Sequence, residues 1–149
     1  MKQPAVCALL LFVCSTSPAL SQTGSKPTQF SRFPDVINCP ESLLATVFSA
    51  APGQDISLSF STDFSFSGTV VSNEVKYSNL RSAVIRSPYF NNSVFSISQI
   101  INSDNSYTYT GRIINKNYFD GYELKQHASG GYQFVKVETD QVIPDCLRQ

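Results

Sequence analysis

His127 is the single histidine of this 149-residue sequence, and any Ser-His-Asp or Cys-His device would have to use it as its base. It stands between two strand candidates, beside Ser129-Gly130-Gly131, and reads as an exposed loop residue. No Gly-x-Ser-x-Gly elbow accompanies it. Paired carboxylates are the other route to acid–base chemistry, as in glycoside hydrolysis, where the two groups share a cleft about 5 to 10 Å apart. Asp120 and Glu123, in Asp120-Gly121-Tyr122-Glu123, are the nearest such pair, with Asp63, Glu138 and Asp140 elsewhere. Asp-Gly is by itself a turn signal, which leaves Glu123 on the strand that follows. Nothing in the pattern points to a carboxyl buried beside another charge. Zinc and transition metals want several His or Cys. The stretch Asn102-Ser103-Asp104-Asn105 offers oxygens but lacks the spaced acids and bidentate Glu of a calcium loop. Phosphate-cradling and dinucleotide-binding glycine motifs are absent as well. The expectation is a non-enzymatic chain with no metal and no cofactor.

A recognition surface is what the side chains can still offer. Tyr118, Phe119, Tyr122 and Tyr132 gather in the C-terminal half with Arg112, Lys116 and Lys125. Tyr suits recognition because one end of its ring is apolar and the other hydrogen-bonds, although it is equally a strand-former. We take Arg112, Tyr118, Phe119, Tyr122 and Tyr132 as the candidate binding residues. Carbohydrate platforms commonly add Trp, and this chain has none. With 11 basic and 11 acidic residues the chain lacks the basic face that nucleic acid requires. At 15% charged and 12% aromatic residues it is too apolar for a solvated disordered tail. Asn91-Asn92-Ser93 is a glycosylation sequon, relevant only in a eukaryotic source.

The elements that must position these residues begin after a processing segment. Lys2, the apolar run Ala5–Cys14 and the small residues of Ala19-Leu20-Ser21 have the layout of a secretory signal peptide over 1–21. The run is too short to span a membrane, so no transmembrane segment is expected after cleavage, and the chain is expected to be secreted or periplasmic. Cys7 and Cys14 leave with it, and Cys39 and Cys146 remain as one expected disulfide in an oxidising compartment. Closing nearly the whole domain, such a bridge is worth on the order of 4 to 5 kcal/mol by chain entropy. Residues 22–28 read as a flexible leader, and 29–149 as one α+β domain.

Within that domain, Pro40 and Glu41 suit the start of a helix of about ten residues, with Leu43, Leu44, Val47 and Phe48 on one apolar stripe and Pro52-Gly53 as its stop. Everything later alternates as strands: Ile56/Leu58/Phe60, then Phe64–Val71, Leu80–Arg86, Val94–Ile101, Tyr107–Ile114, Gly121–Lys125 and Tyr132–Val137. The short, turn-rich breaks imply hairpins and an antiparallel meander. Phe64–Val71 also matches Tyr107–Ile114 class for class, with Gly68 and Gly111 at the same offset, where a bulge or bend would suit. A duplication and a shared packing problem both account for it. The expected fold is α+β, a short N-terminal helix on an antiparallel sheet of about six or seven strands; the alternative is an all-β sandwich. The expected core comprises Leu44, Val47, Phe48, Leu58, Phe60, Phe66, Val70, Val84, Phe95, Ile97, Tyr109, Ile113, Leu124, Phe134 and Val135.

Three functions fit this reading. The first is a non-catalytic exported module that binds a protein or cell-surface ligand. One form of it is a cystatin-like inhibitor, which the order helix-then-strands suits and for which no inhibitory signature is present. The second is a small secreted hydrolase using Asp120 and Glu123 near Tyr122. The third is a structural envelope component whose sheet edge pairs with a partner strand.

Overall fold

The computed structural model describes residues 26–142; the expected signal peptide, the first part of the leader and Cys146 lie outside them. The elements run β1 (Val36–Cys39), α1 (Glu41–Val47), β2 (Asp55–Ser59), β3 (Ser65–Tyr77), β4 (Leu80–Ser87), β5 (Ser93–Ile101), β6 (Tyr107–Ile114), β7 (Asp120–Gln126), β8 (Tyr132–Glu138) and α2 (Thr139–Val142). All strands belong to one antiparallel sheet in the order β1-β8-β7-β6-β5-β4-β3-β2. From β2 to β8 each strand pairs with its sequence neighbour, because the breaks between them are short. The added strand β1 closes the series by pairing with β8, Val36 opposite Val135 and Cys39 opposite Tyr132.

The α+β expectation with six or seven strands is therefore corrected. The chain is an all-β single domain of eight strands with one short helix against the sheet, and the all-β alternative is the one that fits. It takes the form of one curled sheet, a half-barrel, instead of two stacked sheets. The curl follows from distance. Strands lie about 4.7–4.9 Å apart, so a flat sheet would hold β2 and β8, separated by β3 to β7, roughly 29 Å from each other. Yet the Phe60 ring, just past the end of β2, packs on Phe134 of β8 with ring centroids 5.0 Å apart. Phe95 of β5 touches both. The sheet wraps its own aromatic side chains.

Alternation assigns each residue to the concave or the convex face. Phe66, Val70, Ile85, Phe95, Ile97, Tyr109, Ile113, Leu124 and Phe134 point inward and are buried. Of the expected core, Val84 and Val135 fall one position out of phase: their neighbours Ile85 and Phe134 fill the interior and they stand half-buried on the convex side. Phe30, Phe64, Tyr122 and Tyr132 join the core in addition. Gly68 and Gly111 both face inward where the adjacent strand comes close. A Cβ on Gly68 would lie 2.3 Å from the Arg86 carbonyl oxygen, and one on Gly111 2.8 Å from that of Ser96. The matching glycines thus mark close backbone approach, and the bulge of β3 comes just after Gly68, between Val70 and Ser72.

Pro40 sits immediately before α1 with extended backbone (φ −60°, ψ 132°), and the helix runs seven residues, shorter than its sequence pattern suggests. Such a short helix has little stability of its own. Leu44, Val47 and Phe48 pack it into the concave face, and Asn73 of β3 holds its far end. The Asn73 Nδ2 donates to the carbonyls of Val47 (3.3 Å), Phe48 (3.1 Å) and Ala50 (2.7 Å), at and just past the helix terminus, where carbonyls lack a helical partner. No helix among the described residues is long and apolar enough to cross a membrane.

Because Phe134 is the point where opposite sides of the half-barrel meet, Phe134→Ala is expected to cost about 3–5 kcal/mol, read as a lower midpoint in denaturant unfolding. A loss below about 1 kcal/mol would show that the curl does not depend on this contact.

Candidate functional site

The half-barrel has two unlike ends, and the sequence-derived candidates divide between them. At one end lie the N-terminal segment from Lys26, the 3-10 turn Pro88–Phe90 and the loop between β6 and β7. This end is filled. Phe30 is fully buried against Phe64 (6.2 Å), Tyr122 (5.3 Å) and Phe90 (5.4 Å). Asp120, only 5% exposed, anchors the segment by accepting the backbone N–H groups of Gln29 (2.5 Å) and Phe30 (2.8 Å). Gln29 itself donates to the Phe90 carbonyl and accepts from the Ser93 hydroxyl. Lys26 pairs with Asp140, and Pro27 accepts the Phe119 N–H. The described part of the expected leader, residues 26–28, is thus fastened to the domain.

Tyr118 and Phe119 sit half-buried in the loop at this end, where their carbonyls accept hydrogen bonds from Thr139 and the Tyr118 hydroxyl accepts from Asn91. Tyr122 lies wholly in the core, its hydroxyl donating to the Pro34 carbonyl at 2.6 Å. Burial pushes that phenol well above its usual range, with Asp120 adding to the effect. Tyr132 is buried farther along the barrel, its ring 5.6 Å from Tyr109 and its hydroxyl accepting the Tyr109 N–H. Arg112 is on the convex face, bonded to Glu123 at 3.1 Å. The structure does not gather these five residues into one surface.

The carboxylate pair divides in the same way. Tyr122 points inward, so Asp120 shares its face and Glu123 faces the convex side. Asp120 is occupied by two backbone donors. Glu123 lies between Lys125 and Arg112, and the Lys125 hydrogen bond, followed by that of Arg112, holds its carboxyl below the usual carboxylate range against the effect of partial burial. A shared catalytic cleft for the two does not exist. His127 is exposed in the turn between β7 and β8, where its backbone exchanges hydrogen bonds with Gly130 and Gly131. Cys39 is buried on β1, and burial pushes its thiol up to about 12. Among the described residues no three His, Cys, Asp or Glu side chains cluster as a metal site would require.

The convex face is a field of hydroxyls. Ser57 bonds Ser67 at 2.7 Å, Ser82 bonds Ser98 at 3.0 Å and Thr69 donates to Asp55 at 2.6 Å. These are cross-strand pairs of the sheet, satisfied among themselves.

The opposite end carries what the sequence reading missed. Beyond Asn73, β3 continues past α1 to Tyr77 and turns back into β4. Val75 is 71% and Tyr77 70% exposed, and Ile101 and Tyr107, paired across β5 and β6 at the same end, are also exposed. Val75, Ile101 and Tyr107 are on the concave side of this end, whereas Tyr77 pairs Leu80, which pairs Ile100, on the convex side, the last two half-buried. Arg81 lies beside this patch with its guanidinium over the Phe48 ring at 5.9 Å. The signal was present as the apolar residues Val75 and Tyr77 before the Ser78-Asn79 turn, but register shifts after Val70 and after Val75 break the phase that alternation would give them.

Comparison with known family models, with curated proteins and with solved structures finds no match to this chain.

The role of Asp120 is structural on this geometry. Asp120→Ala strands the buried Phe30 N–H and the part-buried Gln29 N–H and is expected to cost about 2–4 kcal/mol, with Asp120→Asn costing less. Denaturant unfolding measures the cost, and faster amide exchange at Gln29 and Phe30 would show that the N-terminal segment has come loose. Unchanged exchange at those two amides would refute the anchor.

Proposed function

We propose that this chain is an exported, non-catalytic binding module whose partner is a protein that docks on the open end of the half-barrel. The observation that carries the reading is the exposed set Val75, Tyr77, Ile101 and Tyr107 on strands that run past the helix. Large apolar side chains concentrated at one end of a sheet, with an arginine beside them, have the composition of a protein-recognition patch. The other exposed large apolar residues, Val36, Val71 and Tyr89, lie on separate elements, β1, β3 and the 3-10 turn. Export is supported by the signal-like layout of residues 1–21, and in an oxidising compartment Cys39 and Cys146 would pair.

The test is a pull-down from the native envelope and medium with the wild-type chain and with a Val75→Ser/Tyr77→Ser/Tyr107→Ser variant. All three side chains are exposed, so the variant should keep the wild-type unfolding midpoint and lose the captured partner. A partner retained at wild-type level by a folded variant would move the docking face elsewhere. Mass analysis of the exported chain is expected to give an N-terminus at Gln22, and non-reducing peptide mapping a Cys39–Cys146 link.

A further inference from the structure

The two ends of the strand order are open edges, and they are unlike each other. In β1 the ladder bonds fall on Asp35, Ile37 and Cys39, shown by the bond from the Lys136 N–H to the Asp35 carbonyl, so only Val36 and Asn38 turn their backbone outward. Pro34 and Pro40 flank this strand, and Asp35 is tied by its carboxylate to Lys136. Short length, proline and charge are the usual means of blunting an edge.

β2 is one residue longer, has no proline within it or directly beside it, and carries one charge, Asp55, at its start. Val70 donates to the Gln54 carbonyl at one end of the strand and Phe60 donates to the Phe64 carbonyl at the other. Antiparallel alternation therefore directs Gln54, Ile56, Leu58 and Phe60 to β3, and the N–H and C=O groups of Asp55, Ser57 and Ser59 to the open side. Among the described residues no hydrogen bond reaches the main chain of these three from outside the sheet ladder. Beside this edge, between β2 and α1, runs a groove of about 370 Å³ whose apolar lining is Leu43, Ala50, Ile56 and Leu58.

We propose that the β2 edge is an acceptor for one extended peptide strand of a partner. Such a strand would bond its main chain to Asp55, Ser57 and Ser59 and set alternate small apolar side chains into the groove against α1. Three outward-facing residues in one register specify an extended backbone, and the groove accepts every second side chain, as strand addition requires. Charge narrows the occupant further. Asp55 is the only charged residue of β2 and Glu41 the only one of α1, so the complementary strand is basic where it meets Asp55. A second copy of this chain fits less well, because symmetric pairing through β2 would bring its α1 to the groove that the first α1 already flanks. The inference does not rest on the apolar open end, which is a separate surface.

The probe is a short fluorescent peptide of alternating Thr and Val with a lysine at each end. Its controls are the same peptide with glutamates at the ends and one with proline in place of valine. The purified full chain is expected to bind the lysine peptide in anisotropy titrations, to prefer it over the glutamate form and to ignore the proline form. Amide exchange at Ser57 and Ser59 should slow on binding. Ser57→Pro removes an outward N–H and takes no rung from the β2–β3 ladder, so it should weaken binding about tenfold or more while unfolding stays cooperative. Asp55→Lys, an exposed change on the convex side, should reverse the preference between lysine and glutamate peptides and serves if the proline variant fails to fold. The proposal is overturned by failure of any strand peptide to bind, by binding that a folded Ser57→Pro leaves intact, or by unaltered peptide preference in Asp55→Lys. It is equally overturned by a concentration-dependent dimer in sedimentation that Ser57→Pro dissolves, since a second copy would then be the occupant.

Discussion

Everything in this molecule depends on bending one sheet far enough to enclose its own aromatic side chains. Eight strands laid flat would leave Phe66, Phe95, Tyr122 and Phe134 facing water on one side, at an apolar cost that no short helix could offset. Curling brings Phe60 onto Phe134 and gathers Phe30, Phe64 and Tyr122 at one end. The bend is permitted where a side chain is missing. Gly68 and Gly111 face the concave side at positions where a Cβ would press on the carbonyl of the next strand. It is sharpened by the bulge after Val70, since a bulge increases local twist.

The curl also decides what is left over for function. A half-barrel has a filled end, an unfilled end and two edges, and the chain treats each differently. The N-terminal segment and Asp120 stop one end with main-chain hydrogen bonds to a buried carboxylate. At the other end α1 covers the concave face only as far as Asn73, and β3 carries Val75 and Tyr77 beyond that cover. One edge is shortened and flanked by proline; the other presents Asp55, Ser57 and Ser59 with their backbone groups outward. The apolar side chains and backbone groups left in the open are thus the ones that curvature could not enclose.

Much of the sheet was legible in the alternation. The seven strands from Ile56 onward follow from period-two patterning, and their order follows from short turn-rich breaks, because local pairing needs no knowledge of distant residues. The failures have specific causes. Val36–Cys39 is too short to show a period and lies before a proline that reads as a helix start, so β1 appears only when β8 supplies its partner. Val84 and Val135 each adjoin a second apolar residue, and the pattern alone does not say which of two neighbours points inward. Two of the aromatic candidates for binding, Tyr122 and Tyr132, are strand residues whose rings serve the core. The fold class was misread because a periodic stretch of about ten residues promised more helix than seven residues deliver.

By itself the sequence determined the strand-rich meander, the pairing of hydroxyl and aromatic residues on opposite faces, and a composition with a single histidine. These are local or compositional properties, carried by neighbours two residues apart and by simple counts. Only the tertiary structure decided which face became the interior, that Asp120 anchors the N-terminal segment and does not join Glu123, and which apolar residues stay in water. Those outcomes depend on contacts between residues up to about a hundred positions apart, such as Tyr122 with Pro34 and Lys136 with Asp35. A sheet acquires its inside by curling, and the direction and extent of the curl are properties of all eight strands together.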